Sequence, residues 1–396
     1  MTILEWAGLV VAAGVAAIWV SRIVQIYSLR SRGPVLGRDT IPDAPPSGLV
    51  SIIMPGKDEE ANIGAALETL RAQDYPEIEI IAVDDRSRDR TAEIVRQAAA
   101  RDPRIRLLQV KELPAGWFGK PHAMHVGAAA ARGRWLLFVD ADCRQAPHSA
   151  RAAVNFLASR DGEMLSLWPV LEMHGFWENA VQPVAGSVLV AWFRPSWVNN
   201  PRHWAAFANG QYILIRKDTY EAVGGYEAVR TEIVEDIALA RLVKRSGHRL
   251  WNATGADLFT TRMYDSLRGM YKGWTRIYYG AFKSALWLAG VMALTLLFTL
   301  APFIALAWTA ALLARGDPSP FVQGTFCLEA ATTVLIFATM RKFFILGKAS
   351  PWYLFFYPVA VALTLAFQFA AMLRALGLGS VTWRGTTYRG SKVVSK

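Results

Sequence analysis

The apolar residues of this chain fall into two patterns that occupy different zones. Toward the ends they run together. Trp6 to Ser21 is free of charge and continues through Ile23 and Val24, Ala285 to Leu313 carries no charge, Phe321 to Met340 carries only Glu329, and Trp352 to Leu373 ends at Arg374. Stretches of this length with so few charges predict membrane-spanning helices. The first lacks the basic leader and small-residue cleavage site of a signal peptide, so residues 1–25 read as a retained anchor.

In the middle the apolar runs are short and end in polar turns. Leu49 to Met54, Glu79 to Val83, Ile105 to Val110 and Trp135 to Val139 predict strands. Helices are predicted from Ala61, over Arg90 to Ala100, and from about Pro121 to Ala131. Strands alternating with helices imply a largely parallel sheet, hence one α/β domain over residues 48–280, whose roughly 230 residues suffice for a single core. A helical membrane region over 285–376 and a basic tail over 377–396 complete the division.

Composition agrees with two zones. The 396 residues are 53% hydrophobic and 19% charged, with a net charge of +11. The basic residues are spread along the chain and many flank apolar segments, which points to anionic membrane lipid rather than nucleic acid. Arg22, Arg30, Arg32 and Arg38 follow the anchor while only Glu5 precedes it, which places the middle section on the cytoplasmic face of the cell membrane. Cys143 and Cys327 form no disulfide or metal-thiolate pattern.

Candidate chemistry lies at the carboxyl ends of the strands, where ligands collect in such sheets. Asp58 and Glu59, Asp84 and Asp85, and Asp140 and Asp142 follow three separate strands. Neither GxGxxG nor GxxxxGK is present, so a diphosphate would meet carboxylates through a divalent cation. Asp140 and Asp142, two apart on an extended chain, face one side and suit Mg²⁺ or Mn²⁺. Each cluster has a plainer reading as well: strand-end acids in a turn, or Ser87 and Asp89 capping the next helix. Capping does not explain adjacent Asp84 and Asp85, whose like charges call for a compensating donor, cation or ligand.

Thr231 to Leu242 reads as a helix with Glu232 facing Glu235 and Asp236, and such crowding raises carboxylate basicity. Asp236 is the candidate base; acids placed to match the helix dipole are the alternative. Phe176 to Trp197, charge-free from Asn179 to Phe193 and flanked by Trp177, Trp192 and Trp197, is either a helix lying at the membrane interface or a core helix of the catalytic domain.

Together, Pro55 to Ile63, Asp84 to Thr91 and Asp140 to Asp142 resemble the donor half of the family-2 glycosyltransferases, whose fold is the nucleotide-diphospho-sugar-transferase or GT-A type. Ala208 to Lys217 and Val223 to Tyr226 resemble the same family's second block, and Glu235-Asp236 its acceptor motif. The resemblance implies a nucleoside site at Pro55, Glu59, Asp84 and Asp85, a metal ligand in Asp142 with Asp140 near the ribose or metal, and Lys120 near the sugar or diphosphate. It further implies acceptor-side residues Asn209, Gly210 and Gln211, and Asp236 as base, with Glu235 beside it, in an inverting single displacement from a UDP-sugar.

The family's Gln-x-x-Arg-Trp motif is reduced here to Arg276 within Gly273 to Tyr278, which argues against a processive polysaccharide synthase and leaves Arg276 to brace the leaving diphosphate. Trp117-Phe118-Gly119-Lys120 and the tail Trp383 to Tyr388 resemble hopanoid-associated or carotenoid glycosyltransferases, and ceramide glucosyltransferases more distantly, which implies a lipid acceptor. A catalytically degenerate sugar-nucleotide-binding protein is the competing reading. Four spans place Arg374, Arg384, Arg389, Lys392 and Lys396 on the outer face, in conflict with the positive-inside rule.

Overall fold

The computed structural model describes residues 2–28, 33–40, 48–317 and 319–379, and the backbone of three short strands between 381 and 395. The chain forms two compact units. One draws on Gly33–Glu172, Trp192–Met263 and Gly379–Lys396, the other on Met1–Arg32, Met173–Ala191 and Tyr264–Leu378. Residues 173–191 and 264–280, which hydropathy groups with the soluble middle, therefore cluster with the long apolar helices.

The first unit is built on β1 (Val35–Leu36), β2 (Val50–Gly56), β3 (Ile78–Asp85), β4 (Ile105–Val110), β5 (Trp135–Val139), β6 (Cys143–Gln145), β7 (Met164–Trp168), β8 (Val170–Leu171), β9 (Tyr212–Arg216), β10 (Leu250–Gly255) and β11 (Phe259–Thr261). Eight of them form one sheet in the order β1-β10-β7-β9-β5-β2-β3-β4, and β6-β11-β8 form a smaller one. β3 is buried along its whole length, as expected of a strand covered on both faces. The helix Gly119–Ala130 lies close over β2 and β3, because a Cβ at Gly127 would collide with Ile53.

β2 pairs in parallel with both β3 and β5, whereas β9 runs antiparallel to both β5 and β7. That one reversal decides the site. The register sets Gly56 opposite Asp84 and Val139 opposite Tyr212. The carboxyl ends of β3, β2 and β5 and the amino end of β9 therefore open onto one edge.

The second unit is helical. Ile3–Tyr27, Ala285–Ala314, Pro320–Leu346 and Pro351–Ala375 are four helices long and apolar enough to cross a membrane. The second is interrupted by a single π turn at Leu296–Leu300, where the Trp19 indole N–H donates to the Phe298 carbonyl at 2.7 Å. In an apolar surrounding such a partner satisfies a backbone acceptor that the irregular turn weakens.

The helix Phe176–Trp192, open from sequence between interface and catalytic core, belongs mostly to this unit. Gln182 accepts from the Trp274 indole at 3.2 Å and the Ala185 carbonyl from the Tyr278 hydroxyl at 2.8 Å. Both partners lie on the helix Leu267–Phe282.

Candidate active site

The turns after β2 and β3 are laced together by their own side chains. Asp58 donates its N–H to Ser87 Oγ at 3.0 Å and accepts from the Arg88 N–H at 2.8 Å. Glu59 N–H donates to Thr91 Oγ1 at 2.8 Å, and Glu60 N–H to Asp89 Oδ2 at 2.9 Å. Asp89 also accepts from Thr91 N–H at 3.0 Å. These bonds and burial set Asp89 below its ordinary range: burial raises it, but the Thr91 and Glu60 donors outweigh that. The tight lacing requires left-handed backbone at Asp58 and Arg86, with φ of 55° and 60°.

The adjacent pair Asp84 and Asp85 is compensated inside the protein. Asp84 accepts from Gln109 Nε2 at 3.1 Å and from the Ser87 N–H at 3.2 Å. Asp85 is held by Arg86 through both oxygens, at 2.8 and 3.0 Å. The ligand invoked from sequence to balance these charges is therefore not required for balance. Gly119 approaches this pair so closely that a Cβ there would meet Asp85 Oδ2 at 2.6 Å. Pro55 sits within β2 opposite Val83.

A different arrangement stands at the ends of β5 and β9. Lys120, on the first turn of its helix rather than in a solvent loop, pairs with Asp140 at 2.8 Å and Glu235 at 3.2 Å. Burial pulls the lysine's proton affinity down, but Asp140, Glu235 and Asp236 raise it well above its usual value, so it is a fixed cation. The Gly210 N–H donates to Asp236 Oδ2 at 2.7 Å, and Ile237 N–H to Asp236 Oδ1 at 2.7 Å. A Cβ at Gly210 would meet Asp236 Oδ2 at 3.0 Å and Lys120 Nζ at 3.3 Å, which explains glycine at that position. Asn209 and Gln211 shape this turn, with Asn209 N–H on Ser166 Oγ at 2.7 Å and Asn209 Nδ2 on Gln211 Oε1 at 3.2 Å.

Asp236 is pushed up to about 7, first by burial and then by Glu235, against the pull of Lys120 and two backbone donors. The cause differs from the one read in the sequence. The helix begins at Glu235, with Val234 at its cap, so Glu232 lies outside it and the i+3 and i+4 crowding does not arise. Asp142 is likewise pushed up to about 6, first by burial and then by Asp140 and Glu59. Its contact among the described residues is the weak thiol of Cys143 at 3.6 Å.

Half-buried, charge-crowded and poorly partnered, Asp142 is a carboxylate that a hard cation would relieve. Among the described residues no three His, Cys, Asp or Glu side chains are grouped to hold a metal unaided. A cation here would therefore complete its oxygen shell from a ligand and water. With that completion the residues fit Mg²⁺ or Mn²⁺.

Tyr226 went unnoticed as chemistry in the sequence. Its hydroxyl is fully buried without a hydrogen-bond partner among the described residues, and burial, then Glu235, Tyr220, Asp236 and Asp140, raise it well above its ordinary value. In the sequence it stands only as the end of the Val223 to Tyr226 block, after Gly224 and Gly225, which the structure holds at φ of 81° and 51°. Arg276 lies on the helix Leu267–Phe282 in the other compact unit.

Comparisons with known proteins bear on this site. The family model described as Glycosyl transferase family 2 matches residues 51–218, and that described as Glycosyl transferase family group 2 matches residues 135–371. A 4,4'-diaponeurosporenoate glycosyltransferase of Staphylococcus haemolyticus is 24% identical over 257 residues, 64% of this chain and 67% of that protein. One from Staphylococcus aureus is 26% identical over 235 residues, 57% of this chain and 60% of that protein, so the match spans less than two thirds of the latter's length. In structure, the chain resembles a mannosyltransferase of Pyrobaculum calidifontis solved with GDP-Man and Mn²⁺, at a TM-score of 0.53 and 19% identity, covering 93% of this chain and 98% of the other. The reversed β9 strand, the carboxylates at the sheet edge and the family match over more than half its length agree: this chain belongs to the family-2 glycosyltransferases, with their GT-A fold.

Proposed function

We propose that the protein transfers a single sugar from a nucleoside-diphosphate donor, of which a UDP-sugar is the expected one, to a lipid acceptor at the cytoplasmic face of the cell membrane. The observation that carries this reading is the contrast within one cluster. Lys120 is a half-buried fixed cation, while Asp236 beside it is held in place by two N–H donors yet pushed up to about 7. A general base is most effective when its proton affinity lies near the working pH.

In this reading Asp236 accepts the proton of an acceptor hydroxyl as its oxygen attacks the anomeric carbon from the face opposite the leaving diphosphate. The configuration inverts in one displacement. Lys120 and the Gly210 turn keep the carboxylate from drifting, and Glu235 fixes Lys120. Glu59, Asp84 and Asp85 border the nucleoside, with the charges of Asp84 and Asp85 already met by protein donors. Asp142, with Asp140 nearby, would hold Mg²⁺ or Mn²⁺, and such a cation supplies charge neutralisation for the departing diphosphate. Arg276 is assigned to the same diphosphate.

The apolar helices of the second unit and the likeness to enzymes named for a carotenoid-derived acid support a lipid as acceptor. The reduced Arg276 motif supports transfer of one sugar rather than chain growth.

The test is release of UDP from UDP-sugars by protein in lipid nanodiscs with Mn²⁺, with and without extracted host lipid, in wild type, Asp142→Ala and Asp236→Asn. Lipid-dependent turnover lost in both variants supports the reading. Donor binding without turnover under any lipid indicates a degenerate enzyme, and absence of donor binding overturns the donor assignment.

A further inference from the structure

The helix Pro351–Ala375 has the length and composition of a membrane span, yet its packing differs from the other three. Half of its apolar window is buried within the protein, against 17–28% for the others. Its middle packs on the span Ala285–Ala314, where Gln368 Nε2 donates to Thr295 Oγ1 at 3.3 Å and Tyr357 meets Phe303 at 5.7 Å, and its two ends meet other helices. At its start, Ser350 N–H donates to Asn179 Oδ1 at 3.3 Å, and Phe176 meets Tyr353 and Phe356 with ring centroids 5.5 and 4.9 Å apart. Toward its end, Phe367 meets Tyr271 at 6.0 Å, and Arg374 lies within electrostatic reach of Tyr271 and Arg276.

The partners at the two ends belong to Phe176–Trp192 and Leu267–Phe282, which lie side by side through Gln182–Trp274 and Ala185–Tyr278. Neither crosses a bilayer. The first leaves the catalytic unit after Glu172 and rejoins it at Trp192, and its 17 residues reach about 25 Å, short of a span. The second follows Met263 of the catalytic unit and precedes the span that begins at Ala285. A crossing helix would hold its ends on opposite faces. Both ends of this one touch helices that the chain joins directly to the catalytic unit.

Where it begins, it leaves an apolar recess. Phe176, Trp177, Ala180 and Val181 form one wall and Phe356 and Val359 another, around a cavity of about 280 Å³. That volume falls just below the roughly 300–1,000 Å³ of sites enclosing a whole drug-sized ligand, so it suits a segment of one chain. The lining is wholly apolar. Trp352 and Phe355, in the same turn of chain as Phe356, are 76% and 75% exposed, as membrane-interface aromatics are.

We infer that this recess receives a hydrocarbon chain of the lipid acceptor, held at the catalytic face by a helix, Pro351–Ala375, that dips into the bilayer and does not cross it. The occupant rests on the lipid-acceptor reading above; the helix placement does not. With three crossings, Arg374, Arg384, Arg389, Lys392 and Lys396 fall on the catalytic side, and the conflict with the positive-inside rule disappears.

Three measurements test the inference. In oriented vesicles of a Cys327→Ser background, a membrane-impermeant maleimide should reach Ser395→Cys from the same side as Ser246→Cys, and Arg315→Cys from the other. Labelling of Ser395→Cys together with Arg315→Cys overturns the helix placement. In nanodiscs containing host lipid, Ala180→Phe and Val181→Trp should raise KM for the extracted lipid roughly tenfold, with donor KM unchanged. An unchanged lipid KM overturns the recess.

A lipid bearing a diazirine on its hydrocarbon chain covers the case in which no lipid-dependent transfer is found. Photolabel on peptides spanning 176–181 and 356–360, lost in Val181→Trp, retains the recess and removes only the acceptor assignment. Label confined to the spanning helices overturns the recess itself.

Discussion

The turns after β2 and β3 and the Lys120 cluster both hold several acids but treat them oppositely. Around Asp58 to Glu60 and Asp84 to Thr91, the carboxylates described above accept hydrogen bonds from named donors, and Asp89 sits below its ordinary range. At Asp142 and Asp236 burial and neighbouring acids outweigh the donors, and both carboxylates are pushed upward. The first region uses acids to fix a loop shape. The second keeps them in an unfavourable state, as sites that bind cations or move protons do.

Several experiments break or sharpen that contrast, the largest effect first. Asp236→Asn keeps the shape and one of the two acceptor oxygens but removes the base, and steady-state turnover should fall about 10²–10⁴-fold. The same change should raise thermal stability at pH 8. The folded-state affinity of Asp236 for its proton lies above the unfolded value, so the ionised form is disfavoured in the fold above about pH 7. The stability difference should shrink as pH falls through 7 and vanish below the unfolded value near 4. A destabilised Asp236→Asn protein at pH 8 would contradict the contrast.

The pH profile comes next. With Asp236 as base, kcat should drop about tenfold per pH unit below about 7 and level off above it. A flat profile would instead favour a carboxylic-acid acceptor, which has no proton to give up when ionised.

Lys120→Met leaves Asp140 and Glu235 without their shared cation. Turnover should fall about 10–100-fold, and the pH midpoint should move upward because the lysine's stabilisation of ionised Asp236 is gone. An unmoved midpoint would mean that Lys120 does not act on Asp236.

The smallest effect on catalysis belongs to Asp89→Ala. It removes acceptors of the Thr91 and Glu60 N–H groups and should reduce unfolding free energy by about 1–2 kcal/mol with kcat nearly unchanged. The loss should be greatest near neutral pH and shrink on acidification. A carboxylate set below its unfolded value contributes stability above that value and loses it as pH falls through the folded one.

The alternation of short apolar runs with polar turns determined, from sequence alone, the parallel strands β2 to β5 and the helices between them, because side-chain burial repeats with local period. It also determined that acids would stand at strand ends, and that four segments were apolar enough to cross a membrane. The tertiary structure decided the rest. The β9 reversal brings Gly210 to Asp236 across 26 positions of chain, a contact no local pattern encodes. Burial, not helical spacing, raises Asp236, because desolvation depends on what the whole fold stacks around a group. Hydropathy reads the same for a helix that crosses the bilayer and for one that turns back, since it measures apolarity and not the partners at the ends; the contacts of Pro351–Ala375 with Phe176 and Tyr271, on which the placement inferred above rests, come only from the tertiary structure.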